Sequence, residues 1–134
     1  MTLGLVLVGI VGLITELLLL DHTDSFNQLI PLLALGAGLA VTIAVWLRPG
    51  STTLRLFKMT MISFVVIGLL GVYLHYSGNV EWARERDPDI AGLALAWRAL
   101  KGATPALAPG ALAQTGLLGL IFGWSYTGSH RSSA

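Results

Sequence analysis

The sequence predicts an all-α integral membrane protein with four transmembrane helices, and three observations support this fold class. Of the 134 residues, 54% are hydrophobic and only 11% are charged, with a mean hydropathy of +0.76. Soluble domains carry roughly a quarter charged residues. The apolar residues form four stretches, and at about 1.5 Å per residue each can cross a hydrocarbon core of roughly 30 Å. The predicted spans of this single domain are residues 3–20, 29–47, 57–76 and 106–124.

The first two spans are joined by a short acidic turn, "DHTDSFN". No basic residue precedes the first span and no small-residue cleavage site follows it before Asp21, so we expect a retained helix and not a secretory signal. Ser25 and Gln28 have the S-x-x-Q spacing of a capping box, which predicts that the second helix begins there.

The second connection, "RPGSTTLRLFK", is basic and indicates the orientation. It carries Arg48, Arg55 and Lys58 and no acidic residue. Short basic loops lie in the cytoplasm. We therefore expect this loop in the cytoplasm, and because the number of spans is even, both termini should lie there too.

The third connection is long enough to contain a helix of its own. Asp87 is a plausible N-cap with Pro88 at the first helical position, and Gly102 follows as a stop signal. These signals predict a short interfacial helix over residues 88–101, on the outer side of the membrane, with one apolar face toward lipid or protein. The predicted contact residues are Trp82, Ile90, Leu93, Trp97 and Leu100.

Small residues recur every four positions in two of the spans. Lipid offers no hydrophobic drive for helix association, so small residues that allow close backbone approach favour helix packing. The predicted packing faces are Gly36, Ala40 and Ala44 in the second span, and Ala111, Thr115, Gly119 and Gly123 in the fourth.

Glu16 is the first candidate functional residue, because an ionisable group inside a span is costly and usually paired. It precedes Asp21 by five residues, which places it about 7 Å below the outer boundary. Three interpretations stay open: a proton-titrating transport site, a hydrogen-bonding partner for another helix, and a carboxylate that reaches the interface. His75 lies near the outer end of the third span, and we expect the two residues to form an intramembrane polar pair.

Two kinds of bound group can be considered on the outer side. His22, Asp24, His75 and Glu81 are nitrogen and oxygen ligands that zinc accepts, but their spacing fixes no site, so we predict no metal site. His75 is the histidine embedded deeply enough to ligate a pigment. The chain has no cysteine and no basic block, and it shows no hydrolase or nucleotide-binding motif. We therefore expect no enzyme activity and no nucleic-acid partner.

Three segments, "ELLLLDHTDSFNQLIPLLALG", "LGVYLHYSGNVEWARE" and "LKGATPALAPGALAQTGLLGL", resemble a family of small bacterial four-span membrane proteins of unassigned function. The resemblance covers most of the chain and implies a four-helix fold in a bacterial inner membrane. It carries no catalytic residues to transfer. A glutamate in the first of four spans is also similar to the small multidrug transporters, although those chains are shorter and lack a long outer loop with its own helix.

These observations favour a non-catalytic accessory or scaffold subunit that packs against larger proteins in a bacterial membrane complex, of photosynthetic or respiratory type. Its expected partners are membrane lipids and other integral membrane proteins. The sequence requires no cofactor, although contact with a pigment or lipid is compatible with it. Two alternatives stay open: a small proton-coupled transporter that uses Glu16, and an outer-face pigment or metal binder that uses His75.

Overall fold

The computed structural model describes residues 1–21, 23, 25–102 and 104–131, with side chains up to residue 126. Within these residues the chain forms five helices and no strand, which confirms the all-α class. The helices are α1 (Thr2–Leu19), α2 (Phe26–Leu47), α3 (Ser51–Arg86), α4 (Gly92–Leu100) and α5 (Gly110–Arg131).

Three of these helices, α1, α2 and α3, are long and apolar enough to cross a membrane. α5 begins at Gly110, later than the predicted start of the fourth span, because residues 106–109 form hydrogen-bonded turns. Its apolar part, residues 110–123, is therefore only about 21 Å long. The structure thus supports a membrane-embedded protein, and the fourth span stays a prediction.

Four of the helices form a closed bundle. α1 packs against α2 and α5, and α3 packs against the same two helices from the other side. α5 runs antiparallel to α3, because Ala113 lies beside Gly68 and Gly123 lies beside Lys58. The largest fully buried side chains of the described residues are Val6, Ile10, Leu35, Thr42, Phe57, Met61 and Phe64.

The outer surface of the bundle is also apolar. Large hydrophobic side chains are exposed along every long helix, among them Val8, Leu33, Val66, Leu69 and Ile121. A continuous exposed apolar surface is unusual for a soluble monomer. It is the arrangement that a lipid environment favours.

The Phe64 side chain of α3 packs against α2 at a glycine. A Cβ added to Gly38 would collide with the Phe64 ring. One turn further on, the buried Thr42 hydroxyl donates to the Gly38 carbonyl at 2.6 Å. α2 begins directly after Ser25, whose backbone N–H donates to Gln28 Oε1 at 3.2 Å, as the capping-box spacing predicts.

α3 is much longer than the predicted third span. It contains 36 residues and is therefore about 54 Å long, so it extends well beyond a 30 Å hydrocarbon core. α4 packs on α3 and begins at Gly92, with Ala91 as its N-cap, instead of at Pro88. The start differs because α3 continues to Arg86 and Asp87 ends it. The Asp87 carboxylate accepts a hydrogen bond from Arg98 at 3.3 Å.

Candidate functional site

A cavity of about 530 Å³ lies at one end of the bundle, where α1 ends and α2 begins. The later part of α3 and the turn that leads into α5 complete its walls. Most of the lining is apolar, including Leu13, Leu17, Ile30, Leu70, Leu74 and Leu112. Its polar members are Glu16, Asn27, Gln28, His75 and Thr104. We refer to it as the Glu16 cavity.

Glu16 and His75, predicted to form a polar pair, both line this cavity. The hydrogen bonds and ion pairs of the described residues include none between the two side chains. The Glu16 side chain is exposed, and the His75 side chain is half-buried. The fold therefore places a carboxylate and an imidazole around a common space without joining them directly.

The hydrogen bond of His75 uses Nδ1 of its ring as the donor. Nδ1 lies 3.2 Å from the Pro105 carbonyl oxygen. A carbonyl can only accept, so Nδ1 must carry the hydrogen, and Nε2 of the neutral ring keeps its lone pair. The same carbonyl accepts from the Ala108 N–H at 3.2 Å. This bond joins the 105–109 turn to α3, and in the neutral ring it leaves Nε2 as the acceptor.

Pro31 adds a backbone acceptor to the same region. It lies inside α2 and has no N–H to donate to the carbonyl of Asn27, four residues earlier. That carbonyl therefore lacks its usual helical donor. Asn27 and Pro31 both line the Glu16 cavity.

Asn79 is a structural residue that sequence reasoning missed. It is 2% exposed and makes four hydrogen bonds. Its Nδ2 donates to the carbonyls of Ala99 at 2.9 Å and Thr104 at 2.7 Å, and its Oδ1 accepts from the backbone and hydroxyl of Thr104. The sequence offered one signal for it: Asn79 is a polar residue three positions beyond the predicted span 57–76. Asn79 joins α3 to the end of α4 and to the segment that borders the cavity.

The residues predicted to make interfacial contacts lie mainly on the surface. Leu95 and Ala99 are the buried side of α4, while Leu93 is 90% exposed and Trp97 is 61% exposed. The other three are Trp82 and Leu100, which are exposed, and Ile90, which is half-buried. Lys101 Nζ lies 4.8 Å from the Trp97 ring centre, and Arg86 Cζ lies 4.3 Å from that of Trp82. Cation–aromatic pairs of this kind suit a membrane–water boundary.

The two small-residue faces differ in their surroundings. On α5, Thr115, Gly119 and Gly123 are buried and Ala111 is half-buried. A Cβ on Gly9 of α1 would lie 3.2 Å from Thr115 Oγ1, and one on Gly119 would collide with Met61 of α3. On α2, Gly36 and Ala40 are exposed and Ala44 is half-buried, and a Cβ on Gly36 would meet nothing within 4 Å. The Gly38 side of α2 faces the bundle instead.

The metal ligands considered from the sequence do not assemble. Among the described residues, no group of three or more His, Asp or Glu side chains could hold a metal ion. Glu81 is exposed on α3, whereas His22 and Asp24 lie outside the described residues.

Comparisons with known proteins add no relative. No protein-family model, no curated protein and no solved structure matches the chain.

Proposed function

We propose that this chain is a non-catalytic accessory or scaffold subunit of a bacterial inner-membrane complex, and that it packs against another integral membrane protein through α2. The observation that carries the proposal is the exposed face of Gly36, Ala40 and Ala44, here called the α2 small face. Leu33 and Ile43 border this face and are exposed as well.

The physical argument compares the two small-residue faces of one molecule. In lipid, helices associate through close van der Waals packing, which small residues permit. The bundle already uses this principle where α5 meets α3: a Cβ on Gly116 would lie 2.6 Å from the Met61 carbonyl oxygen. The α2 small face has the same four-residue spacing as Ala111, Thr115, Gly119 and Gly123, and a Cβ on its Gly36 would meet nothing within 4 Å. A helix of another protein is the natural occupant of that space.

The proposal includes four spans with both termini in the cytoplasm. α5 lies beside α3 from Lys58 and Gly123 at one end to Gly71 and Pro109 at the other, so the two helices run together for most of a membrane thickness. Arg48, Arg55 and Lys58 at the first of these ends support a cytoplasmic location for it. α4 and the end of α3 would then lie on the outer side.

The test compares two glycine substitutions at open positions. We expect Gly36→Leu to remove the chain from its complex, because a leucine side chain blocks backbone approach on the α2 small face. Gly12→Leu is the matched control, since Gly12 lies on α1 and also has nothing within 4 Å of an added Cβ. Both variants would be expressed at natural copy number, extracted in mild detergent and separated by native electrophoresis, with mass identification of co-migrating chains.

The expected result is a large complex with the parent chain and with Gly12→Leu, and a small species with Gly36→Leu. Two results would contradict the proposal: a parent chain that migrates alone, and a Gly36→Leu variant that stays in the complex. Transport through Glu16 and pigment or metal binding through His75 stay predictions.

A further inference from the structure

We propose that the Glu16 cavity binds an amphiphile with a primary ammonium head group. In this assignment the ammonium lies between the Glu16 carboxylate and His75 Nε2, and the apolar body of the ligand fills the rest of the cavity. This inference goes beyond the packing role of the chain and does not depend on it.

The charge of the lining favours a cation. Glu16 contributes a carboxylate to the cavity lining, and the described lining residues include no lysine or arginine. Four lysine and arginine residues lie at the same end of the molecule, and three of them have other contacts: Arg86 lies over Trp82, Lys101 lies over Trp97, and Arg98 pairs with Asp87. The fourth, Arg84, is exposed on α3 and is not part of the lining. A carboxylate in a low-dielectric region needs a partner, and an external cation can provide it.

The hydrogen-bonding groups agree with this choice. An ammonium has three donors and no acceptor. The cavity lining includes Glu16, which has two carboxylate oxygens, and His75. When the His75 ring is neutral, its Nε2 is an acceptor, because Nδ1–H is used by the Pro105 carbonyl. Asn27, whose carbonyl Pro31 deprives of its helical donor, belongs to the same lining. Phosphate or carboxylate heads would meet the negative charge of Glu16 here, with the amide groups of Asn27 and Gln28 as neutral donors in the same lining.

The size and composition of the cavity fit the remainder of an amphiphile. Its volume of about 530 Å³ lies within the range of small-molecule sites. Residues from α1, α2, α3 and the start of α5 supply its apolar walls. The cavity lies near the end of the bundle, so a ligand can keep its head group near the membrane interface and its alkyl chain between the apolar walls.

The experiment uses three probes with the same alkyl chain: decylammonium, decanol and decanoate. The full chain, with ¹⁵N-labelled histidine, would be placed in nanodiscs of zwitterionic lipid, and each probe titrated while the His75 imidazole signals are recorded by NMR. His75→Gln assigns the signals. Glu16→Gln is the matched variant, because it keeps the shape of the side chain and the partitioning of the probes into the same bilayer.

We expect decylammonium to shift the His75 signals at a concentration at least about tenfold lower than decanol does, a preference of one decade in affinity. Decanoate should be the weakest probe. In the Glu16→Gln variant, decylammonium should shift the His75 signals at the same concentration as decanol does. Should Glu16→Gln fail to fold, Glu16→Asp keeps the charge and should keep the preference for decylammonium over decanol.

Three outcomes would overturn the assignment. Equal titration by decylammonium and decanol would show apolar partitioning alone. A preference for decanoate would show that the cavity selects an anion. An unchanged decylammonium preference in Glu16→Gln would show that the carboxylate is not the binding group.

Discussion

Asn79 connects three parts of the backbone with one side chain. Its two donors and its carbonyl oxygen are all used, by Ala99 and Thr104. A buried amide is costly when its hydrogen bonds are unmade and favourable when all of them are made. Asn79 therefore holds the end of α4 and the segment toward α5 against α3.

Replacement of Asn79 by leucine should destabilise the protein strongly. Asn79→Leu removes all four hydrogen bonds of the Asn79 side chain: the Thr104 groups lose their partner, while the Ala99 carbonyl keeps the Gly102 N–H. Each lost bond costs about 0.5–1.5 kcal/mol net. We expect a clear fall in the thermal unfolding temperature in detergent and faster hydrogen exchange in residues 99–104. Ser77→Ala, which removes only a local bond to the Leu74 carbonyl, is the control and should change stability by less than about 0.5 kcal/mol. Equal stability of Asn79→Leu and the parent chain would refute this role.

Sequence reasoning selected Glu16 and His75 at the residue scale because ionisable groups within apolar runs are rare and costly. Both line one cavity. Sequence reasoning could not identify Asn79, because its partner Thr104 is 25 residues away and only the tertiary fold brings the two together. Nor could it identify the Pro105 carbonyl as the partner of His75, because backbone acceptors leave no residue-specific signal.

At the scale of helices, the contact between α3 and α5 depends on glycine. A Cβ on Gly68 would lie 2.6 Å from the Ala113 amide nitrogen and 2.9 Å from the Pro109 carbonyl oxygen. A Cβ on Gly71 would lie 2.7 Å from Pro109 Cβ. Backbone atoms cannot move aside as a flexible side chain can, so α5 reaches this depth only because α3 lacks side chains there.

Two glycine-to-alanine changes in the same helix should have opposite effects. Gly68→Ala should destabilise the bundle by about 1–3 kcal/mol, the usual cost of overpacking. Gly78→Ala should be neutral or stabilising by up to about 1 kcal/mol, because Gly78 has open space around it and alanine is the better helix former. Unfolding of both variants in the same detergent would measure this. A Gly68→Ala variant as stable as Gly78→Ala would contradict the close approach.

Local sequence signals predicted where a helix begins better than they predicted which other helices it contacts. The Ser25 and Gln28 spacing predicted the start of α2 because a capping box is a local interaction. The Asp87 and Pro88 signal misplaced the start of α4, because Asp87 ends α3 and pairs with Arg98. Small residues at four-residue spacing predict a packing face, but the spacing alone cannot show whether another helix of the same chain covers that face. The Gly38 contact with Phe64 turns Gly36 outward, and this follows only from packing.

For the whole molecule, the proposed topology can be tested by cysteine labelling, because the chain has no cysteine of its own. In intact cells without their outer membrane, we expect an impermeant maleimide to label Glu85→Cys, at the end of α3 that carries α4. Ser51→Cys, at the start of α3, and Ser125→Cys, near the end of α5, should be labelled only after the membrane is opened.

The control is the parent chain, which should give no signal. The inverse pattern would contradict the orientation but keep four spans. Labelling of Ser125→Cys together with Glu85→Cys in intact cells would show that α5 does not cross the membrane.

The dependence of α5 on α3 also has a consequence for synthesis of the protein. α5 is the last of the five helices in chain order, and it is not among the three that are apolar enough to cross a membrane by composition. Gly116, Gly119 and Gly123 of α5 pack against α3, which leaves the ribosome well before α5 does. We therefore expect α5 to enter the bilayer by packing against α3, which is already inserted at that point. Insertion of α5 would then depend on the earlier insertion of α1, α2 and α3.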